Sequence, residues 1–194
     1  MRLCFATNNH HKLSEVQQLI GDEFEIVSLG EIGHHADIPE DHDTMEDNSL
    51  QKARFIHDKY GVDCFADDSG LEVEALNGEP GVFSARYAGP QRNHHDNNEK
   101  LLVELEGNDN RKAQFRAVIS LLINGEVRQF EGVVKGEITR NEIGSGGFGY
   151  DPVFVPEGHE VTFAEMDDHL KNKLSHRGKA VKKLVEYLKS MPHE

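Results

Sequence analysis

In the first part of the chain, short apolar runs alternate with segments whose apolar residues have helical spacing. Residues 2–6 are apolar after Arg2, and Leu13, Val16, Leu19 and Ile20 then recur at the spacing of one helix face. This pattern predicts a buried strand, a polar turn over residues 7–12 and a helix that begins near Lys12. Residues 24–29 are expected to form a second strand, followed by a long polar loop.

A second helix is predicted over residues 44–60, with Thr44 as its N-cap. The apolar positions that are expected to face inward are Leu50, Ala53, Ile56 and Tyr60. Three polar positions on the same helix are interpreted as part of a solvated face: Asn48, Lys52 and Arg54. Later helices are predicted over residues 98–105 and over the last segment, after Ser175.

The run Cys64-Phe65-Ala66 leads directly into Asp67-Asp68-Ser69-Gly70. We predict a short buried strand that ends in a turn, with another half-exposed strand over residues 71–75. Neighbouring side chains on an extended strand point to opposite faces, so the two carboxylates are expected to do different jobs. One reading is a metal or general-base site, and the other is a plain turn, because Asp, Ser and Gly are turn residues on their own account.

Residues 112–123 and 126–135 are both strand-like, and Asn124-Gly125 joins them. Asn-Gly between two such runs predicts an antiparallel hairpin, because both turn positions need positive φ. Thr162 and Glu165 form a capping-box pattern that predicts a short helix. The whole pattern indicates an α/β protein, treated as a single domain over residues 1–194.

Composition narrows the possible partners. The 194-residue chain has 21 basic and 35 acidic side chains, a net charge of −14, which argues against a broad surface for nucleic acid or anionic membrane. Its apolar runs are too short to span a bilayer, and its start does not resemble a signal peptide, so a cytoplasmic location is expected. Cys4 and Cys64 lie in apolar segments and are interpreted as buried thiols. The spacing of the twelve histidines does not suggest a zinc site.

Three stretches could receive an anionic ligand. Lys12 and backbone amides at a helix start suit a phosphate, although an ordinary N-capping Asn would give the same pattern. The segment 144–151 has four glycines that let a ligand approach the backbone, with Phe148 and Tyr150 as aromatic faces for a base; a tight turn with buried aromatics is the alternative. Lys171, His176 and Arg177 lie around the start of the last helix and form the third stretch, although a capped helix with basic neighbours would give the same pattern. A nucleoside triphosphate with Mg²⁺ would explain all three stretches together.

At these residues the chain resembles the inosine triphosphate pyrophosphatase family, the XTP/dITP diphosphatases. The resemblance is carried, in order along the chain, by Thr-Asn-Asn-His-His-Lys at 7–12, Ala-Asp-Asp-Ser-Gly-Leu at 66–71, Gly-Glu-Pro-Gly-Val-Phe-Ser-Ala-Arg-Tyr at 78–87, Gly-Phe-Gly-Tyr-Asp-Pro at 147–152 and Ser-His-Arg at 175–177. It implies an elongated two-lobed α/β fold with a long central mixed sheet flanked by helices, a nucleotide cleft between the lobes and a homodimer.

The resemblance also implies the roles of individual residues. Asp68 would be the catalytic proton acceptor, and Glu40 and Asp68 would bind Mg²⁺. Phosphate contacts are implied for Thr7, Asn8, Asn9, His10, His11, Lys12 and Lys171. Base or other substrate contacts are implied for Ser69, Phe148, Gly149, Tyr150, Asp151, His176 and Arg177. Asp67 is left as either a second ligand or a brace.

The implied reaction is hydrolysis of XTP, ITP or dITP to the monophosphate and pyrophosphate. Two alternatives stay open at this point. One is a Maf-like pyrophosphatase acting on modified pyrimidine nucleotides, and the other is a nucleotide-binding regulator without catalysis.

Overall fold

The computed structural model describes residues 1–192 of the chain and contains a mixed six-stranded sheet in the order β2-β1-β3-β4-β5-β6. The strands are β1 (Arg2–Phe5), β2 (Glu25–Val27), β3 (Cys64–Val73), β4 (Lys112–Ile123), β5 (Glu126–Ile138) and β6 (Phe154–Pro156). β1 pairs in parallel with both β2 and β3, whereas β5 and β6 are antiparallel. The predicted α/β class with a mixed sheet is confirmed.

Five α-helices accompany the sheet within the described residues: α1 (His10–Ile20), α2 (Met45–Tyr60), α3 (His94–Glu104), α4 (Asp168–Leu174) and α5 (His176–Ser190). α1 begins two residues before the predicted start, because Asn9 caps it and accepts from the amides of His11 and Lys12. α3 likewise begins earlier than predicted, with Asn93 as its cap. None of these helices is long and apolar enough to cross a membrane.

The chain divides into two compact units. The first comprises Met1–Asp68, Ala117–Gly132 and the chain from Arg177 onward, and the second comprises Ser69–Arg116 and Val133–His176. In the first unit α1 and α5 share a core with β1, β3 and β4, where Phe5 and Phe65 stack with ring centroids 4.7 Å apart. In the second unit a separate core surrounds Leu71, Phe115 and Phe154. The assignment of residues 1–194 to a single domain stays a prediction.

The largest departure from the predicted secondary structure is at Asp67–Gly70, where a turn was expected. β3 instead continues unbroken through these residues to Val73. The strand lies between β1 and β4, and backbone pairing across it overrides the local preference of Asp, Ser and Gly for a turn. A Cβ on Gly70 would lie 2.1 Å from the carbonyl oxygen of Gly81 and 2.8 Å from Ser84 Oγ. Glycine is therefore required here for close approach rather than for chain reversal.

Other local predictions were confirmed more directly. Asn124 and Gly125 have φ values of 51° and 77°, the positive pair that the predicted two-residue hairpin turn needs. Thr162 and Glu165 form the predicted capping box, although the element it begins is a 3₁₀ turn, Phe163–Glu165, and not a longer helix. Cys4 and Cys64 are buried free thiols, and burial raises their pKa values to about 11 and about 12.

Replacing Gly70 with alanine should destabilise the protein by about 3 kcal/mol, because the new methyl group would meet the Gly81 backbone, which cannot move aside as a flexible side chain would. Gly30→Ala is the matched control, since its Cβ would meet nothing closer than 3.8 Å, and it should change stability by less than about 0.5 kcal/mol. Urea unfolding of the two variants would measure both values. Equal stabilities would contradict the close-approach account of Gly70.

Candidate functional site

The two adjacent carboxylates of β3 point to opposite sides of the sheet, as predicted. Asp67 contacts Lys12 of α1 and Arg177 of α5, whereas Asp68 contacts Asn48 of α2. Both carboxylates are buried, with 1% and 6% of their surface exposed. Alternation along an extended strand thus gives neighbouring identical residues different surroundings.

Asp67 is a brace. Its Oδ1 lies 3.3 Å from Lys12 Nζ, and its Oδ2 lies 3.2 Å from Arg177 Nε. Arg177 also donates through Nη1 to Glu15 at 2.5 Å, and only 2% of it is exposed. Burial acts to raise the pKa of Asp67, but Lys12, Arg177 and Lys52 together hold that pKa well below its usual value. Asp67 is therefore ionised and fixed in place.

Asp68 has a different environment. Its Oδ2 accepts from Asn48 Nδ2 at 3.2 Å. The same Asn48 side chain exchanges hydrogen bonds with the backbone of His42, at 2.9 and 3.0 Å, and so ties the loop before α2 to β3. Burial raises the pKa of Asp68 to about 6, against the opposing effect of Lys52 and Lys12. At neutral pH the carboxylate predominates, and it can still accept a proton, which suits a general base.

Lys52 connects Glu40 to the backbone of Asp67. Its Nζ lies 2.5 Å from Glu40 Oε1 and 2.5 Å from the carbonyl oxygen of Asp67. Burial tends to lower its pKa, but Glu40, Asp67 and Asp68 reverse that effect and leave the pKa raised, so the side chain is a buried cation. The interpretation of Asn48 and Lys52 as solvated residues is wrong, because both are buried on the inner face of α2. Arg54 is exposed, as expected.

The burial of Asn48 and Lys52 was not predicted, although their spacing along α2 indicated it. The buried positions of α2 are Met45, Asn48, Ser49, Lys52, Ala53 and Ile56. They follow the spacing i, i+3, i+4, i+7, i+8, i+11, which is one continuous helix face. Asn48 and Lys52 belong to that face because two of their partners, the Asp68 side chain and the Asp67 carbonyl, are buried with them.

Glu40 and Asp68 are the carboxylates that could hold a divalent cation. Glu40 lies in the irregular loop before α2 with 28% of its side chain exposed. Within residues 1–192 there is no group of three or more His, Cys, Asp or Glu side chains arranged to bind a metal. Mg²⁺ usually uses one or two carboxylates together with waters and substrate phosphates, so a pair of carboxylates fits Mg²⁺ and does not form a complete metal cage.

The predicted phosphate turn, residues 7–12, is an N-capped helix start. Asn9 accepts from the amides of His11 and Lys12, and Thr7 Oγ1 accepts from the Asn9 amide at 3.1 Å. Asn8 donates to the carbonyl of Ala36 at 3.0 Å, while His10 and His11 are exposed. The N-capping alternative is therefore confirmed as the local structure. Phosphate binding by these residues stays a prediction.

The second unit places Phe148 and Asp151, which were predicted to contact a base, next to Lys171, which was predicted to contact phosphate, whereas Arg177 belongs to the first unit. Lys171 Nζ lies 2.7 Å from Asp151 Oδ2 and 4.7 Å from the centroid of the Phe148 ring. Asp151 also accepts from the Phe148 amide at 3.0 Å. Lys171 and Asp151 are buried, while Phe148 is half-buried. A paired cation thus lies beside an aromatic ring that a base could stack on.

Other predicted contact residues differ in how accessible they are. Tyr150 is 95% buried, and its hydroxyl donates to the carbonyl of Ser84 at 2.6 Å, so its ring belongs to the core. The buried-aromatic alternative therefore holds for Tyr150 but not for Phe148. His176 is also buried, stacked on Phe115 with centroids 4.8 Å apart. Ser69 is half-buried on β3.

Comparison with known proteins shows the family to which this chain belongs. A model of the Ham1 family matches residues 3–187. The chain belongs to the Ham1 family. It is 53% identical to a dITP/XTP pyrophosphatase of Flavobacterium psychrophilum over 190 residues, covering 98% of this chain and all of the relative. A dITP/XTP pyrophosphatase of Porphyromonas gingivalis is also 53% identical, covering 96% of this chain and 97% of the relative.

Solved Ham1 structures have the same fold. The Ham1 protein of Coxiella burnetii superposes with a TM-score of 0.90 at 38% identity, covering 98% of this chain and all of that one. The Ham1 protein of Staphylococcus aureus superposes with a TM-score of 0.88 at 36% identity, covering 97% of this chain and 98% of that one. The resemblance stated from the sequence motifs is thereby confirmed.

Asp67→Asn should destabilise this Ham1-family chain by about 3 to 5 kcal/mol at pH 7, because it leaves Lys12 and Arg177 buried without their anion. Since folding lowers the pKa of Asp67, its contribution is present above the unfolded value of about 3.9 and is lost as the pH falls through the folded value. The stability difference between the two proteins should therefore be constant from pH 7 to pH 5 and shrink below about pH 4.

Denaturant unfolding across this pH range would measure the difference. The exposed Asp22→Asn serves as the control and should be nearly neutral throughout. An Asp67→Asn protein as stable as the original at pH 7 would contradict the bracing role.

Proposed function

We propose that this chain hydrolyses non-standard purine nucleoside triphosphates, dITP, XTP and ITP, to the monophosphate and pyrophosphate. The observation that carries the proposal is Asp68, a buried carboxylate whose pKa is raised by burial to about 6 and which lies near the cations Lys52 and Lys12. A proton acceptor next to positive charge is what attack of water on a phosphoanhydride requires. The relatives named dITP/XTP pyrophosphatase support the substrate class.

In the proposed reaction Asp68 accepts a proton from water as the water oxygen attacks phosphorus. The α–β phosphoanhydride bond breaks, and pyrophosphate leaves with the bonding electron pair. Asn48 donates to Oδ2 of Asp68 and so fixes the orientation of the carboxylate that accepts the proton. Lys12, which contacts Asp67, would offset negative charge on the phosphates.

Mg²⁺ is proposed as the cofactor, held by Glu40 and Asp68. When bound, the ion would neutralise phosphate oxygens. Lys52 supports this arrangement, because its ammonium group at 2.5 Å fixes Glu40 and offsets part of the negative charge that the two carboxylates carry.

The proposed base selectivity rests on Lys171, for which the resemblance implied a phosphate contact but which lies against Asp151 and the ring of Phe148. An ammonium group can only donate hydrogen bonds, and Asp151 and the ring of Phe148 fix its position. A 6-oxo purine presents an acceptor, whereas adenine presents an amino donor at the same place. A mismatched buried polar contact costs about 1 to 3 kcal/mol, or roughly tenfold to a hundredfold in rate. Hypoxanthine and xanthine should therefore be preferred to adenine.

The first test is pyrophosphate release from ITP, XTP, dITP, GTP and ATP with Mg²⁺, comparing the native protein with Asp68→Asn. The native protein should prefer the first three nucleotides. Asp68→Asn should lower kcat by at least about a hundredfold, because asparagine cannot accept the proton. Glu40→Gln should raise the Mg²⁺ concentration needed for half-maximal activity.

Equilibrium binding of ITP to Asp68→Asn is the control that separates lost chemistry from lost folding. Equal cleavage of ATP and ITP would contradict the proposed selectivity. Cleavage of modified pyrimidine nucleotides instead would favour the Maf-like alternative. Tight binding by the native protein without pyrophosphate release would favour a regulator.

We further propose that the enzyme acts in the cytoplasm as a homodimer. Phe83 is 49% exposed, and the guanidinium of Arg86 lies 5.2 Å from the centroid of its ring. Exposed aromatic residues and arginines are enriched at protein interfaces. This supports a self-association surface in the second unit.

Phe83→Glu should weaken the dimer at least tenfold, because it would place a charge in the apolar part of the interface. Sedimentation equilibrium would measure the dissociation constant. Val161→Glu, a change at another exposed apolar residue, should leave it unchanged. A native protein that sediments as a monomer would contradict the proposal.

A further inference from the structure

The glycine segment that carries Phe148 has little means of fixing its own shape. Gly144, Gly147 and Gly149 have φ values of 93°, 68° and 61°. Glycine loses more conformational freedom on folding than any other residue, so a segment rich in glycine needs contacts from elsewhere to hold one conformation. Within the segment, Asp151 supplies one local contact by accepting from the Phe148 amide.

α3 supplies two more, on the two sides of a single residue. The amide of Gly149 donates to His94 Nδ1 at 3.1 Å, and Asn98 Nδ2 donates to the Gly149 carbonyl at 3.0 Å. His94 and Asn98 are four positions apart and therefore lie on the same face of the helix. Asn93 fixes the start of α3, since its Oδ1 accepts from the Asp96 amide at 2.9 Å. We call His94 and Asn98 the α3 clamp.

The clamp also reaches Phe148 itself. The ring of His94 lies 6.3 Å from the ring of Phe148, centroid to centroid, at an interplanar angle of 42°. The position of the Phe148 ring is thus set from three sides: by Lys171 near its face, by His94 beside it, and by the anchored peptide groups of Gly149 that follow it. A shift of Gly149 would move the aromatic surface.

Asn98 is kept at a cost to stability. Only 1% of it is exposed, and its Oδ1 has no hydrogen-bond partner among the residues that the structure describes. An unsatisfied buried polar atom is destabilising, and leucine has a similar size without it. Folding alone would therefore favour an apolar side chain here. What asparagine adds is the hydrogen bond to Gly149.

We propose that the α3 clamp is a specificity-determining device: His94 and Asn98 position Phe148 for the purine base without contacting the substrate themselves. The inference rests on the proposed function, in which Lys171 reads the purine base and the ring of Phe148 helps to fix the position of Lys171. His94 and Asn98 are positioning residues and take no part in proton transfer. Their effect should therefore fall on KM and on base selectivity, and not on kcat.

Asn98→Leu gives the sharpest test. It should raise KM for ITP about fivefold, the effect of one net hydrogen bond, while kcat stays within about twofold and the preference for ITP over ATP falls. Its melting temperature should equal or exceed that of the native protein, because the substitution also removes the unsatisfied oxygen. A merely structural role predicts the opposite result, a lower melting temperature with an unchanged KM.

His94 allows a rescue experiment. His94→Leu removes the acceptor and should raise KM about fivefold. His94→Asn places an oxygen at the same position along the side chain as Nδ1, so it should restore KM to near the native value. His95→Leu is the matched control. His95 forms ion pairs with Glu99 and Glu142, which lie outside the glycine segment, so this substitution should leave KM unchanged.

The result that would overturn the clamp is a native protein that cleaves ITP selectively together with Asn98→Leu and His94→Leu variants of native KM and selectivity. Failure of the native protein to cleave ITP at all would instead overturn the proposed function, and with it the role of the clamp in base selection. Calorimetric binding of inosine monophosphate to the same variants provides a measure that does not depend on turnover, and it should show the same fivefold weakening.

Discussion

The first unit depends on the neutralisation of one buried carboxylate, that of Asp67. A charge removed from water costs several kcal/mol unless it is paired, so β3 can carry Asp67 at its centre only if cations are brought to it. Lys12 comes from α1 and Arg177 from α5, while Lys52 of α2 bonds the Asp67 carbonyl. Three helices from distant parts of the chain are therefore held to the same strand by one residue.

The next residue along β3 shows what this neutralisation makes possible. Because the partners of Asp67 lie on its side of the sheet, Asp68 faces the other side, where it accepts from Asn48 and where Glu40 adds negative charge nearby. Burial therefore raises the pKa of Asp68. At Asp67 the neighbouring cations outweigh burial and lower the pKa. Two environments that push the pKa values of adjacent carboxylates apart are a common way of separating a structural from a chemical role.

The parts of this arrangement that the sequence predicted were those fixed by neighbours in the chain. The Asn124-Gly125 hairpin and the Thr44 cap of α2 each depend on a few consecutive residues. The unbroken β3 and the burial of Lys52 were not predicted, because both depend on distant partners. Ser69 and Gly70 favour a turn until strands on either side are known, and a lysine is expected to face solvent until a buried anion is placed beside it. The motif resemblance named the candidate site residues, but it could not show how they are paired: Asp67 with Lys12 and Arg177, and Asp68 with Asn48.

The same distinction applies to the glycine segment of the second unit. Its positive φ values could be expected from its composition, but its position is set by α3, a helix about fifty residues earlier in the chain. Asn98 is buried there with an unsatisfied oxygen, which stability alone does not explain. Functional sites are where local costs of this kind are retained, because the gain lies in binding and not in folding. If the α3 clamp acts as proposed, we expect base preference to change through substitutions in α3 while Asp68, Lys171 and Asp151 stay the same.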